Sequence, residues 1–586
     1  MWNQLYPSDK DDNMFTFYDV EVFRHDWIMV FEQDGKITKI HNDKSALERF
    51  LSSVNFLVGY NNYNYDDKII ASVLKNVDPY HASQKIINGK RFGLRLNKPL
   101  TLDVMQELRG ISLKEAQANL GYDIFETPID FNIERKLMKK EVKQVFRYCE
   151  NDVLTTKKLF EKREDYFTSK FEGVQEFKLP VTSLKKTRAN LASEVLKARK
   201  GTDEERLILM FDNRLLKEEL PKPLLKFYKH IQEQFENGTD YKVLEREKFT
   251  FNLAGLEHIY GFGGLHAAKE NYVDEGYFMQ IDVKSYYPTL LINNSFLNND
   301  SLDRYKKIYG TRMKLQAKKD TKQEAYKLIT NIVYGGLKSP WNKLYNPQMA
   351  NNIVVNGQLI LTHLIVLLNN FCDLVQTNTD GIIIKYDPVM RPNILKLIKL
   401  FEQHYELKFD VDYIKKIAQR DVNNYVMMYK DEEIAAKGRF SNFQGGGYER
   451  NSLTIIDKAL VDYYMYGKSV NRTVIDLWKS NQLEFFQSIV KAGKFDGMAQ
   501  EVKQETLFDE MGTAGFKELQ NVNRVFAGKD KRFGSVFKTK NDGETKYTKV
   551  PYTSEHCLVW NDDLKKLDRR KLDLNWYIRE VKKWLF

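Results

Sequence analysis

Acidic side chains recur along this chain at spacings that suit divalent-metal chemistry. Asp282 closes an apolar strand, Tyr277 to Ile281, and Val283, Lys284, Ser285, Tyr286, Tyr287 and Pro288 follow it. A carboxylate at a strand end, with a hydroxyl and two phenols just beyond, suits a metal-binding acid beside a pocket for a phosphorylated sugar. Asp380 stands in Asn378-Thr379-Asp380-Gly381, between Leu374-Val375-Gln376-Thr377 and Ile382-Ile383-Ile384. An apolar hairpin would hold such an acid rigidly at its tip, although Asn, Asp and Gly also make ordinary turns.

A second acidic group lies near the start of the chain. Asp19 and Glu21 are two apart on an expected strand, so both leave the same face, and Phe15, Phe17 and Phe23 share that parity. Charge at core-facing positions is costly without a partner, and a bound cation is the usual compensation. A solvent-facing strand edge is the alternative for an isolated D-x-E. Asn62-Tyr63-Asn64-Tyr65-Asp66 follows the strand Val54 to Tyr60 and puts a carboxylate at a helix start. Tyr148 and Asp152 are one helical turn apart. Four acids so placed could bind two divalent ions about 3.5–4 Å apart, which activates a water and stabilises a leaving oxygen. Tyr148 would orient that water. Asp103 is a fifth acid in this region and reads as structural.

Lys327, Asn331 and Tyr334 fall at i, i+4 and i+7, one stripe of a helix that ends at Gly335-Gly336. A cation, an amide and an aromatic on one face suit gripping a nucleotide, and an amphipathic helix with a solvated lysine fits the spacing as well. Lys437-Gly438-Arg439-Phe440 is a basic, glycine-opened segment able to track a phosphate backbone.

The elements that must position these groups form an α/β pattern over the first ~175 residues. Phe15 to Phe23, Trp27 to Glu32 and Ile37 to Ile40 read as strands, with Asp34-Gly35 as a tight turn. A polar, helical middle runs from Val181 to Leu253. The glycine cluster Tyr260-Gly261-Phe262-Gly263-Gly264 looks like a boundary before the Asp282 strand. Helices are expected over Leu302 to Lys319, Lys322 to Tyr334 and Gly357 to Phe371. The last ~140 residues mix both patterns.

At 586 residues the chain exceeds a single compact core, so three or more domains or subdomains are expected. A net charge of +11 favours a polyanionic partner, and a generally basic surface gives the same number. Cys149, Cys372 and Cys557 lie far apart, which supports neither a disulfide framework nor a cysteine zinc site and points to a reducing compartment. The polar N-terminus lacks a signal-peptide core, and no uncharged run is expected to approach the ~18 residues of a membrane span. A cytoplasmic protein is the expectation.

Together and in order, these segments resemble family B DNA polymerases. The set Asp19, Glu21, Asp66, Tyr148 and Asp152 is similar to the DEDDy type of 3′→5′ exonuclease found in that family. Asp282 matches the first palm motif, Lys327 to Gly335 the fingers motif, Asp380 the second palm motif and Lys437 to Phe440 the short primer-template motif. The resemblance implies a multidomain α/β and α+β chain. Its parts would be an RNase H-like exonuclease domain (1–175), a linking region (176–270), a palm (271–300 and 335–445), fingers (301–334), and a thumb with the C-terminal region (446–586).

Under that resemblance Asp282 and Asp380 hold two Mg²⁺ ions, as do the exonuclease acids at their own site, with Mn²⁺ as a substitute. Lys327 and Arg312 would neutralise the triphosphate of a dNTP, Asn331 and Tyr334 would line its site, and Tyr287 would crowd the sugar 2′ position. Amides near Ser285 and Tyr286 would meet phosphate oxygens. Asn62, Tyr65, Gly263, Gly264, Lys437, Gly438 and Arg439 would contact the primer-template.

The chain departs from the family at several positions. Asn378 and Gly381 replace the usual Asp and Ser of Asp-Thr-Asp-Ser, Ile332 a common serine, and Tyr65 a frequent phenylalanine. Asp282 to Lys327 and Gly335 to Asp380 each span 45 positions. The insertions of protein-primed phage polymerases have no room there, so a compact phage or mobile-element replicase using a nucleic-acid primer is expected, monomeric and in a bacterial host cytoplasm. Gln504 to Phe508 resembles the Q-x-x-L-F peptide that docks on sliding clamps, and a turn packed in the thumb reads the same way. The competing readings are an exonuclease with an impaired polymerase half, a protein-primed replicase and a non-enzymatic DNA-binding protein.

Overall fold

A computed structural model describes residues 14–108, 110–127, 129–200, 208–297, 299–503 and 514–586. They fall into two compact units. The first combines Met1–Thr168 with Asn442–Ala459 and Ser469–Lys583; the second combines Ser169–Ser441 with Leu460–Lys468 and Trp584–Phe586. The clamp-like peptide Gln504 to Phe508 lies outside the described residues.

The first unit is built on a five-stranded sheet in the order β3-β2-β1-β4-β5, from β1 (Phe15–Val22), β2 (Trp27–Gln33), β3 (Lys36–His41), β4 (Phe56–Gly59) and β5 (Leu100–Asp103). Asp34 and Gly35 both have positive φ, the geometry a two-residue hairpin between β2 and β3 requires. β1 is central because it is apolar on both faces. Tyr18, Val20 and Val22 enter one core, and on the other face Phe15 and Phe17 meet Phe160 of the helix Lys139–Lys162 at 4.9 and 5.5 Å. Asp19 and Glu21 therefore sit on a strand that helices cover, not on an open edge.

The short helix Leu113–Asn119 has a complete capping box, with Ser112 and Glu115 each accepting from the other's main chain. The same unit takes in β15 (Ser488–Lys491), β16 (Gly497–Lys503), β17 (Ala514–Leu519), β18 (Val522–Ala527), β19 (Phe533–Asp542), β20 (Glu544–Lys549) and β21 (Cys557–Val559). They make two sheets, β15-β18-β21 and β17-β16-β19-β20. These C-terminal residues share the compact unit of the N-terminal sheet and meet it through the helix Leu113–Asn119, so their description as a thumb rests on chain order alone.

The second unit opens with helices and a hairpin, β6 (Phe249–Leu253) and β7 (Leu256–Tyr260), that leads into the glycine cluster. The cluster lies inside this unit and is not a boundary, because residues on both sides of it share one core. An antiparallel sheet follows in the order β14-β13-β12-β9-β11-β10-β8. Its strands are β8 (Ala267–Ala268), β9 (Tyr272–Val283), β10 (Asp373–Asn378), β11 (Gly381–Lys385), β12 (Phe409–Asp421), β13 (Asn424–Tyr429) and β14 (Ile434–Lys437).

One expectation is corrected here. Residues 344–372 contain no charged side chain, and the helix Pro347–Leu368 within them is long and apolar enough to cross a membrane by length and composition. It is almost wholly inside the unit instead. Its asparagines explain why: Asn352 donates to Ile208 O at 3.0 Å, Asn356 to Met210 O at 2.7 Å, and Asn351 to Glu245 at 2.8 Å. Those amides hold a loop against the helix, which lipid could not do.

Candidate active sites

In the first unit, β1 and the helix Lys139–Lys162 cross so that Asp19, Glu21 and Asp152 converge, with carboxylate oxygens all within 4.8 Å of one another. Burial, then repulsion from Asp152, pushes the Asp19 carboxyl up to about 7. Glu21 is held well above the carboxylate range by burial and then by Asp19. Asp66 opens the helix Asp66–Leu74, buried, and burial and then Asp19 raise it likewise. Asp19 Oδ2 is buried without a hydrogen-bond partner. Clustered acids, raised pKa values and an orphaned oxygen fit a site built for divalent cations.

Tyr148 lies one turn from Asp152 as expected, and burial followed by Asp152 suppresses its ionisation. Two further side chains, which sequence reasoning missed, complete the site. Lys114 Nζ lies 2.5 Å from Asp152 Oδ1 and 4.1 Å from the Tyr148 ring centre, and Gln117 Nε2 donates to the same oxygen at 2.7 Å. Both come from the helix Leu113–Asn119. Only its Ser-x-x-Glu cap was visible in sequence, and nothing there tied it to Asp152.

Neighbouring residues hold the scaffold. Asp67, next to Asp66, accepts from Tyr18, from Asn62 at 3.0 Å and from Thr101 at 2.6 Å. Asn62 is thus completely buried, which corrects its assignment to the primer-template. Tyr65 shares a hydrogen bond with Ser83 at 2.8 Å. Asp103 accepts from the Asn61 and Met105 amides at 2.8 Å each, a structural part.

In the second unit, β9 lies between β11 and β12, with Gly381 and Asp410 both opposite Asp282. The Val283 amide donates to Asp380 O at 2.7 Å, so the turn carrying Asp380 is clamped to the end of the Asp282 strand. Burial, then Asp380, pushes Asp282 up to about 6, with Asp412 and Asp410 adding to the shift. Gln280 donates to Asp282 Oδ2 at 2.5 Å. Its position two residues before Asp282, on the same strand face, was a signal the sequence offered.

Gly381 explains one departure from the family pattern. A Cβ there would lie 1.9 Å from Asp282 Oδ1 and 2.6 Å from Ile281 O, so glycine leaves the space this carboxylate occupies. Gly264 serves the turn similarly, since a Cβ would meet Thr379 Oγ1 at 2.1 Å. Gly264 is therefore a packing residue under the Asp380 turn, while Gly263 is exposed.

Ser285 adopts left-handed backbone (φ 52°) and starts the helix Tyr286–Asn293, with no side-chain cap for that helix's first amides. The Tyr286 side chain is buried, its hydroxyl seated where a Cβ on Gly357 would be, so only its backbone is left for a ligand. Tyr287 stacks on Tyr334 of the helix Gln323–Lys338 with ring centres 4.0 Å apart. Lys327 stands on the exposed face of that helix and pairs with Glu324 at 3.1 Å; Asn331 is exposed one turn on.

Arg312 is buried. It donates to Thr330 at 3.0 Å and Asn331 at 3.3 Å, and has no carboxylate partner among the described residues. Its guanidinium thus reaches the same helix as Lys327. Gly438 is required where it stands: φ is +63° and a Cβ would lie 2.0 Å from Asn423 O. Lys437 is exposed, and Arg439 and Arg420 lie 5.3 and 4.6 Å from the ring centre of Trp584.

No family model matches the sequence, and no curated protein does. Among solved structures, the fold is similar to that of the family B DNA polymerase from the hyperthermophilic archaeon Pyrobaculum calidifontis. The TM-score is 0.42, with 13% identity, over 97% of this chain and 77% of that one. A likeness of that degree carries no inference about chemistry.

Proposed function

We propose that this protein is a template-directed DNA polymerase with a proofreading 3′→5′ exonuclease, a compact replicase of phage or mobile-element type. The observation that carries the reading is the clamp of Asp380 onto the end of the Asp282 strand, in the unit where Tyr287 stacks on the Lys327 helix. Divalent ions held by Asp282 and Asp380 would supply Lewis acidity to a primer 3′-hydroxyl and to a triphosphate. Lys327, Arg312 and the first amides of the helix Tyr286–Asn293 would meet that triphosphate. Tyr287, stacked on Tyr334, would crowd the sugar 2′ position.

At the other site Asp19, Glu21, Asp66 and Asp152 would hold divalent cations that activate water, and Tyr148 with Lys114 would orient that water. The short spacing on either side of Lys327 to Gly335 supports use of a nucleic-acid primer. Separate variants test the assignment. Asp282→Ala or Asp380→Ala removes extension and spares degradation, while Asp19→Ala or Asp66→Ala does the reverse. A variant of either pair that removes both activities in a folded protein sinks the two-site reading.

A further inference from the structure

The helix that brings Lys114 and Gln117 to Asp152 has only seven residues, Leu113–Asn119, too few to hold its place by helix propensity. Its successive stripes have different duties. Residues 114 and 117 face Asp152, whereas Glu115, Ala118 and Asn119 form an i, i+3, i+4 stripe that meets the C-terminal residues. Lys491 pairs with Glu115 at 2.8 Å, Asn451 donates to Glu115 at 2.6 Å, and Gln487 donates to Asn119 O at 3.1 Å.

Arg524, on β18, is the centre of this contact. It is completely buried, and its guanidinium hydrogen bonds all go to main-chain carbonyls. Nη2 reaches Ala118 O at 2.9 Å and Tyr122 O at 2.8 Å, and Nη1 reaches Asp562 O at 2.8 Å. A buried cation is thus matched to the Ala118 carbonyl in the last turn of the short helix, where the helix dipole is negative. Burial lowers the guanidinium to about 10, which the nearby Asp563, Asp123 and Asp562 resist.

We propose that Arg524 is a positioning residue for the carboxylate site: it fixes the helix that carries Lys114, and so makes the C-terminal region part of the exonuclease. The proposal rests on the exonuclease reading above. It acts through Lys114, whose ammonium must stay within hydrogen-bond reach of Asp152. A displacement near 1 Å at such a site costs roughly 100-fold in rate.

The test uses the full chain with Arg524→Met, Arg524→Lys and the milder surface variant Lys491→Ala, in single-turnover degradation of a single-stranded 3′ end. Arg524→Met should slow degradation about 10- to 100-fold with little change in KM. Arg524→Lys should recover part of the rate, and Lys491→Ala should lose about 2- to 5-fold. Adding Lys114→Met to Arg524→Met should slow it little further, whereas primer extension by each preparation stays within about twofold. Wild-type degradation by Arg524→Met, or full multiplication of the two losses, overturns the proposal. If the wild-type chain degrades nothing, the exonuclease reading falls by itself. Hydrogen exchange then decides the positioning claim: faster exchange confined to amides 113–122 in Arg524→Met upholds it, and unchanged exchange ends it.

Discussion

Asp19→Asn should stabilise the metal-free protein while destroying one of its activities. The Asp19 carboxyl moves from 3.8 to about 7 because burial and Asp152 disfavour its charge. At ~1.4 kcal/mol per unit, that displacement corresponds to ~4 kcal/mol. Sharing among Glu21, Asp66 and Asp152 leaves ~1–3 kcal/mol for this residue alone. The sign follows from proton binding. Between about pH 4 and 7 the folded state holds a proton that the unfolded chain has lost, so stability falls as pH rises through that window and the loss is complete above it. A neutral amide escapes the loss. In EDTA at pH 8, scanning calorimetry should show the first unit of Asp19→Asn melting about 2–12 °C above wild type, at ~2–4 °C per kcal/mol. At pH 4 the two should melt together. Mg²⁺ at pH 8 should raise the wild-type transition and barely move the variant. A variant that melts below wild type in EDTA, or a wild type indifferent to Mg²⁺, would refute the view that these acids are held together for cations.

Three further outcomes follow from the geometry. Gly381→Ala should cut primer extension at least ~10-fold and leave degradation intact, because its Cβ contests the space of Asp282 Oδ1 and meets Ile281 O; steady-state extension assays check it. Lys114→Met should slow degradation by ~10- to 100-fold without touching extension, since it removes a charge-assisted hydrogen bond at Asp152. Trp584→Ala should weaken primer-template binding ~2- to 5-fold, as Arg439 and Arg420 lose the ring they lie over, and Trp584→Phe should restore most of it; anisotropy titrations over a salt series measure this.

The parts of this molecule most legible in sequence were those set by local pattern. The β2–β3 hairpin follows from Asp34-Gly35, and the Asp380 hairpin from two apolar runs around four turn residues. The Lys327 stripe follows from helical spacing. Long-range partners were not legible. Lys114 meets Asp152 only because a seven-residue helix is gripped from 406 positions away, by Arg524 on Ala118. The resemblance put Asn62 on the primer-template, yet it is buried and donates to the buried Asp67. The uncharged run 344–372 is likewise unlike a membrane span for a long-range reason: its helix Pro347–Leu368 lies in the core, with Asn352 and Asn356 satisfied by distant main chain. The joining of the C-terminal sheets and the N-terminal residues in one compact unit had no local signature either.

The most direct test of the central claim is templated incorporation on a DNA-primed, gapped duplex with Mg²⁺ and no protein primer, following product length and pyrophosphate together. The account predicts addition of only the complementary dNTP, one pyrophosphate per nucleotide, and loss of both signals in Asp380→Asn. Absence of incorporation by the wild-type chain, or equal incorporation by Asp380→Asn, would contradict it.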